Sequence, residues 1–201
     1  MHRAGVIVHD DCIYAIGGQD GTLRLRSCER YSPARGEWEC IASMNMRRDS
    51  PGVASLRGNI FAIGGCHACM FLDTVERYDP VQNHWFAAKH MNFQRSAVGA
   101  VALDDHIYVF GGHDDRNNLC TLERYDPASD MWETLSPMNF PRAGVGAAVM
   151  AGRIVAVGGF DGAEQLSSME QYDVKSDSWT YMTQMKYERS YVGAVSTVKI
   201  V

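Results

Sequence analysis

Residues 60–65 read Ile60-Phe61-Ala62-Ile63-Gly64-Gly65, and the landmarks that follow are Val75-Glu76-Arg77-Tyr78-Asp79-Pro80, Trp85 and Met91. A short apolar run closed by two glycines reads as a strand ending where the backbone turns sharply or approaches a neighbour closely. The whole stretch recurs. Diglycines stand at Gly17-Gly18, Gly64-Gly65, Gly111-Gly112 and Gly158-Gly159, each pair 47 residues after the last. The same interval carries Glu29, Glu76, Glu123 and Glu170; Tyr31, Tyr78, Tyr125 and Tyr172; Trp38, Trp85, Trp132 and Trp179; Met44, Met91, Met138 and Met185. Gly5, Gly52, Gly99, Gly146 and Gly193, with Arg48, Arg95, Arg142 and Arg189, carry the register into a fifth, incomplete copy. A period of this length marks a repeat architecture, with copies at about 1–44, 45–91, 92–138 and 139–185 and a partial copy at 186–201.

Within the second copy, Gly52-Val53-Ala54-Ser55-Leu56 and Ile60-Phe61-Ala62-Ile63 read as two strands joined by the turn Arg57-Gly58-Asn59. After the diglycine come a nine-residue loop, Cys66 to Thr74, a third strand from Val75, the turn Asp79-Pro80-Val81-Gln82-Asn83 and a fourth strand from His84-Trp85. Gly, Pro and Asp-Pro punctuate the chain too often for a sustained helical period. The reading is all-β, one four-stranded antiparallel sheet per copy. Such a sheet cannot bury both faces alone, so the copies stack face to face around an axis as the blades of a propeller. Trp and Tyr supply the packing.

Composition narrows the function. The 201 residues carry a net charge of -5 with 46% hydrophobic and 21% charged residues, the profile of a globular chain. No Lys/Arg block offers a footprint for nucleic acid. No apolar run reaches the length of a membrane span, and no secretory signal is visible at the start, so the expected compartment is the cytoplasm, with the nucleus an alternative. Cys12, Cys28, Cys40, Cys66, Cys69 and Cys120 do not follow the repeat and read as individual substitutions. Cys66-x-x-Cys69 encloses His67 without a second half, and the seven histidines form no HxH or HExxH pair, so neither a metal nor any cofactor is expected.

The wording strand-Gly-Gly, Asp-Gly loop, Glu-Arg-Tyr-Asp-Pro, Trp, Pro-Met resembles the kelch repeat along essentially the whole chain. The unbroken pitch and Val75-Glu76-Arg77-Tyr78-Asp79-Pro80 look most like the kelch-like proteins that pair a BTB domain with a propeller. That resemblance implies a protein-binding module and not an enzyme, although a kelch-type copper oxidase shows that catalysis exists on this fold. It implies a substrate-recognition propeller for a cullin-RING ubiquitin ligase, reaching the cullin only through a BTB domain that these residues do not contain. The alternative is a cytoskeletal, actin-associated scaffold. A six-bladed ring at this pitch exceeds 201 residues, so the chain reads as a fragment of one. Thr197-Val198-Lys199-Ile200-Val201 lacks the turn residues of the other copies and reads as a chain end, with the missing blades upstream.

Antiparallel order selects a binding face. The loops between second and third strands, residues 19–27, 66–74, 113–121 and 160–168, share one face with the crossovers between blades, and they differ while their frame does not. In the resembled family the matching ligand positions are Arg48, Arg95, Arg142 and Arg189; the residues after the diglycine, Gln19, Cys66, His113 and Phe160; and the hydroxyls Ser27, Thr74, Thr121 and Ser168. Guanidinium groups there suit an acidic peptide. The residues leave two other readings open: an Arg and a Glu in every copy can pair within or between blades, and the hydroxyls can close the loops.

Overall fold

Two consecutive residues with positive φ fold the first strand of each repeat back on the second: Asp10-Asp11, Arg57-Gly58, Asp104-Asp105 and Ala151-Gly152. This is the tight turn whose twist matches that of the strands it joins. The computed structural model describes residues 2–195. Its first blade is β1 (Gly5–His9), β2 (Cys12–Ile16), β3 (Cys28–Ser32) and β4 (Glu37–Ile41). The second holds β5 (Gly52–Leu56), β6 (Asn59–Ile63), a loop hairpin β7 (Cys66–His67) and β8 (Met70–Phe71), then β9 (Val75–Asp79) and β10 (His84–Ala88). The third is β11 (Gly99–Leu103), β12 (His106–Phe110), β13 (Leu122–Asp126) and β14 (Met131–Leu135). The fourth is β15 (Gly146–Met150), β16 (Arg153–Val157), β17 (Met169–Asp173) and β18 (Ser178–Met182).

Each blade is an antiparallel sheet with its four main strands in chain order, and the four sheets stand side by side in a propeller arc. The fold is the all-β propeller that the repeat predicts. The expected end at Thr197–Val201 lies outside the described residues. The loop of the second blade differs from expectation: where the others hold an aspartate, Cys66 and His67 pair with Phe71 and Met70 around a turn at Ala68, whose φ is 53°. In the other three loops Asp20, Asp114 or Asp161 instead accepts two backbone N–H groups ahead of it, an Asx turn. The N–H groups of Leu23 and Thr22 hold the Asp20 carboxyl below its ordinary value, and those of Glu164 and Ala163 do the same for Asp161.

The core lies between blades. Ile60, Ala62, Tyr78 and Trp85 of the second blade pack against Tyr14, Ile16 and Cys28 of the first, and equivalent clusters join the second to the third and the third to the fourth. The innermost strands β1, β5, β11 and β15 crowd one another at the axis. A Cβ on Gly52 would lie 2.5 Å from Val98 Cγ2, so glycine opens each of these strands. All six cysteines are free. Burial pushes the Cys28 thiol up to about 12, whereas Cys40 and Cys69 are exposed. In the native protein, alkylation followed by mass spectrometry should label Cys40 and Cys69 first and Cys28 last; early labelling of Cys28 would contradict its burial.

Candidate functional site: the channel face

The diglycine organises the face. Gly64 N–H donates to the Thr74 carbonyl at 3.1 Å and Gly65 N–H to the Arg95 carbonyl at 2.9 Å, so the loop and the outgoing crossover close on one point. Gly64 has φ +60°, and a Cβ on it would lie 2.4 Å from the Arg95 oxygen; no other residue fits there. Leu72 N–H donates to Gly65 O and Arg95 N–H to Leu72 O, both at 3.0 Å. The repeated leucines Leu25, Leu72, Leu119 and Leu166 make the same bonds in every blade. The 47-residue spacing of these leucines marks them in the sequence as clearly as it marks the glycines.

Arg48, Arg95 and Arg142 each leave their own blade and enter the next. Arg48 holds the first blade through its backbone, its N–H donating to Leu25 O and its carbonyl accepting from Gly18 N–H. Its side chain lies in the second blade. There Nη1 donates to the carbonyls of Gly64 and Thr74, both at 2.8 Å, Nη2 to Thr74 Oγ1 at 3.0 Å, and Nε and Nη2 to Glu76 Oε1. Arg95 meets Gly111, Thr121 and Glu123 in the third blade, and Arg142 meets Gly158, Ser168 and Glu170 in the fourth. All three arginines are 0% exposed. Burial pushes the guanidinium groups of Arg48 and Arg95 down, opposed by Glu76 and Glu123.

This corrects the expectation that these arginines and hydroxyls meet a partner. Arg48, Arg95 and Arg142 present no charge to the surface: each Nη1 serves two strand-end carbonyls and each Nη2 a buried carboxylate and a hydroxyl, while Arg95 Nε has no partner among the described residues. Thr74, Thr121 and Ser168 are acceptors in the same cluster. Their role is to join blades. Arg189 is exposed, and neither it nor Ser27 has a side-chain hydrogen bond among the described residues.

The residues after the diglycines do reach the face. Gln19, Cys66, His113 and Phe160 form single bridges with His2, Asp49, Ser96 and Ala143 of the crossovers. Gln19, His113 and Phe160 are half-buried, and Cys66 is buried. Phe71 of the small hairpin meets the His113 ring edge-on at 4.8 Å. Burial pushes the His113 imidazole down, so near pH 7 it is neutral.

One residue inward, Arg3, Ser50, Ala97, Gly144 and Tyr191 all have φ between 51° and 63°. They are linked by backbone bonds: Ser50 N–H to Arg3 O, Ala97 to Ser50, Gly144 to Ala97 and Tyr191 to Gly144, at 2.7–3.1 Å. This ladder frames the mouth of a funnel of about 450 Å³, walled by the glycines, alanines and valines of the innermost strands. Arg3 stands 5.0 Å over the Tyr191 ring and 3.6 Å from the Asp49 carboxylate. Arg47 Nη1 donates to the Arg24 carbonyl at 2.9 Å, placing both basic residues on one rim. Arg24 Nε is buried without a partner among the described residues. No group of three or more His, Cys, Asp or Glu side chains arranged to hold a metal occurs among the described residues.

The comparisons agree with this architecture. The family model described as Kelch motif matches residues 1–45, 47–92, 94–139 and 141–186. Kelch-like protein 35 of Mus musculus is 42% identical over 48 residues, which is 24% of this chain and only 8% of that protein. Among solved structures, "Structure of YjhT" superposes with a TM-score of 0.81 at 14% identity, over 94% of this chain and 67% of that one.

Proposed function

Because the chain belongs to the kelch-repeat family, whose propellers are generally protein–protein interaction modules, we propose that its channel face is the recognition surface of a substrate receptor that brings protein partners to a cullin-RING ubiquitin ligase. The observation that carries this reading is the contrast within the face. One backbone frame, repeated in every blade, holds loops of unlike sequence around a common mouth. A surface built this way varies its chemistry without varying its geometry. The 48-residue likeness to Kelch-like protein 35 supports the receptor role.

With Arg48, Arg95 and Arg142 buried, Arg3, Arg24 and Arg47 are basic groups on the rim of the first blade, and an acidic motif is the partner chemistry they suit. Gln19, His113 and Phe160 line the same face and add a polar amide, a neutral ring and an apolar surface. The cytoplasm, and also the nucleus, is the compartment that goes with this role.

The test is affinity capture with the full-length protein, comparing wild type with the double variant Arg3→Glu, Arg47→Glu. Both residues are exposed, but Arg3 pairs with the buried Asp49 carboxylate, so thermal unfolding is measured alongside to confirm that the double variant folds. Binding of an acidic-motif partner should fall by more than about tenfold, a loss of ~1.4 kcal/mol, while cullin and RING subunits are recovered with both proteins. Recovery of filament proteins that survive both substitutions would instead favour the cytoskeletal scaffold.

A further inference from the structure

Arg30, Arg77, Arg124 and Gln171 hold one position on the third strands β3, β9, β13 and β17. In the first blade Arg30 stands between Tyr14 and Glu39, and in the third Arg124 stands between Tyr108 and Glu133. Both arginines donate to the glutamate beside them, which balances their charge. In the second blade the same neighbours are Phe61 and Phe86, so Arg77 has no carboxylate opposite it. Its guanidinium carbon lies 5.0 Å over the Phe86 ring and its Nη1 donates to Asn59 Oδ1 at 2.8 Å. Its Nε and Nη2 have no partner among the described residues.

The joint beside Arg77 is also open where the other two are closed. In the first joint Ala42 N–H donates to Asn83 Oδ1 at 2.9 Å, and in the third the N–H and hydroxyl of Ser136 both donate to Asp177 at 3.0 Å. Lys89 and Asp130 hold these positions in the second joint, and no hydrogen bond connects them among the described residues. A cavity of about 470 Å³ lies there instead, lined by Arg77, Lys89, His90, Tyr125 and Asp130. β9 and β10 are the outer strands of their blade, so the cavity opens away from the channel. The Tyr125 hydroxyl donates to Asp130 Oδ1 at 2.8 Å. Burial and Asp130 push the Tyr125 phenol up to about 12, so at neutral pH it remains a donor and holds that carboxylate in place. The cavity thus presents a guanidinium with free donors and a carboxylate with a free oxygen.

We propose that this cavity between the second and third blades binds a small amino or hydroxy acid, its carboxylate on Arg77 and its amino or hydroxyl group donating to Asp130. A planar carboxylate matches the free fork of a guanidinium. Asp130 repels a plain anion, so the second group of the ligand is a donor. The volume is that of a small-molecule site. Neither residue belongs to the channel face, and the site stands whether or not that face recognises proteins.

The probes are L-alanine and L-lactate, titrated into the isotope-labelled full chain and followed by amide NMR shifts, with propionate and ethylamine as the separate halves of L-alanine. Saturable shifts at Arg77, Lys89, Tyr125 and Asp130 are expected, with at least one of the two acids binding about tenfold or more tighter than either half. Phe86→Glu restores the carboxylate that Glu39 and Glu133 supply in other blades, and it should weaken binding by at least about tenfold. Arg77→Gln should do the same, and Asp130→Asn should erase the preference over propionate. Each of these side chains already stands in the same register elsewhere, at Glu39, Gln171 and Asn83, so the fold is expected to hold, and circular dichroism checks it. No saturable shift, or binding that survives both Phe86→Glu and Arg77→Gln, would overturn the proposal. Propionate binding as tightly as both acids would overturn it too, by removing the contact with Asp130.

Discussion

Replacing Arg95 by alanine is expected to lower the unfolding free energy by about 3–5 kcal/mol, while the same change at Arg189, in the same register, leaves it within about 0.5 kcal/mol. Arg95 is fully buried, and its loss strands Glu123, which is also 0% exposed, as an uncompensated charge. The carbonyls of Gly111 and Thr121 lose their donor as well. Arg189 is exposed and holds the fourth blade only through its backbone, with its N–H on Leu166 O and its carbonyl accepting from Gly159 N–H. Alanine keeps both of those bonds. Urea denaturation of the two variants beside wild type measures the contrast, and equal effects would mean that the buried pair does not hold the blades together.

Trp132→Ala is expected to cost about 3–5 kcal/mol and Trp38→Ala less than about 1 kcal/mol. The four tryptophans hold one position in the repeat but not one environment. Trp132 fills the cluster between the second and third blades, stacks tilted against Tyr125 at 5.1 Å and donates its indole N–H across the joint to Lys89 O. Truncation removes the ring, leaves a cavity and orphans a carbonyl. Trp38 keeps its ring against Tyr31 at 5.4 Å but is 51% exposed, with no sheet packed on its outer side among the described residues. Thermal melts of the two variants separate the cases; a large loss at Trp38 would mean that its exposed face is already covered.

How much of this was legible in the sequence differs from residue to residue. The glycine, glutamate, tyrosine and tryptophan series locate the four-stranded blade, and the strand Gly52–Leu56 falls on the segment read as apolar before the Arg57-Gly58 turn. Period alone does not say where a long side chain goes. Arg48 is correctly placed in the crossover near the loop face, but its guanidinium turns into the following blade because Glu76 waits there beneath the strand-end carbonyls. Both series are visible in the sequence; their pairing across a joint is a property of stacked sheets and not of either strand. The hairpin at Cys66–Phe71 was hidden for a different reason. It forms where the Asx-turn aspartate is missing, and one non-periodic loop has no other copy to announce it. The basic rim of Arg3, Arg24 and Arg47 is likewise particular to the first blade and its neighbour, and only the folded frame brings those side chains together.

The arginine joint also gives the arc a direction. In each case the arm belongs to the earlier blade and the pocket to the later one, so a blade emerging from the ribosome carries its grip for a successor that has not yet been made. The joint is therefore polar: an arm always meets a pocket and never another arm, so neighbouring blades can pack in one orientation only.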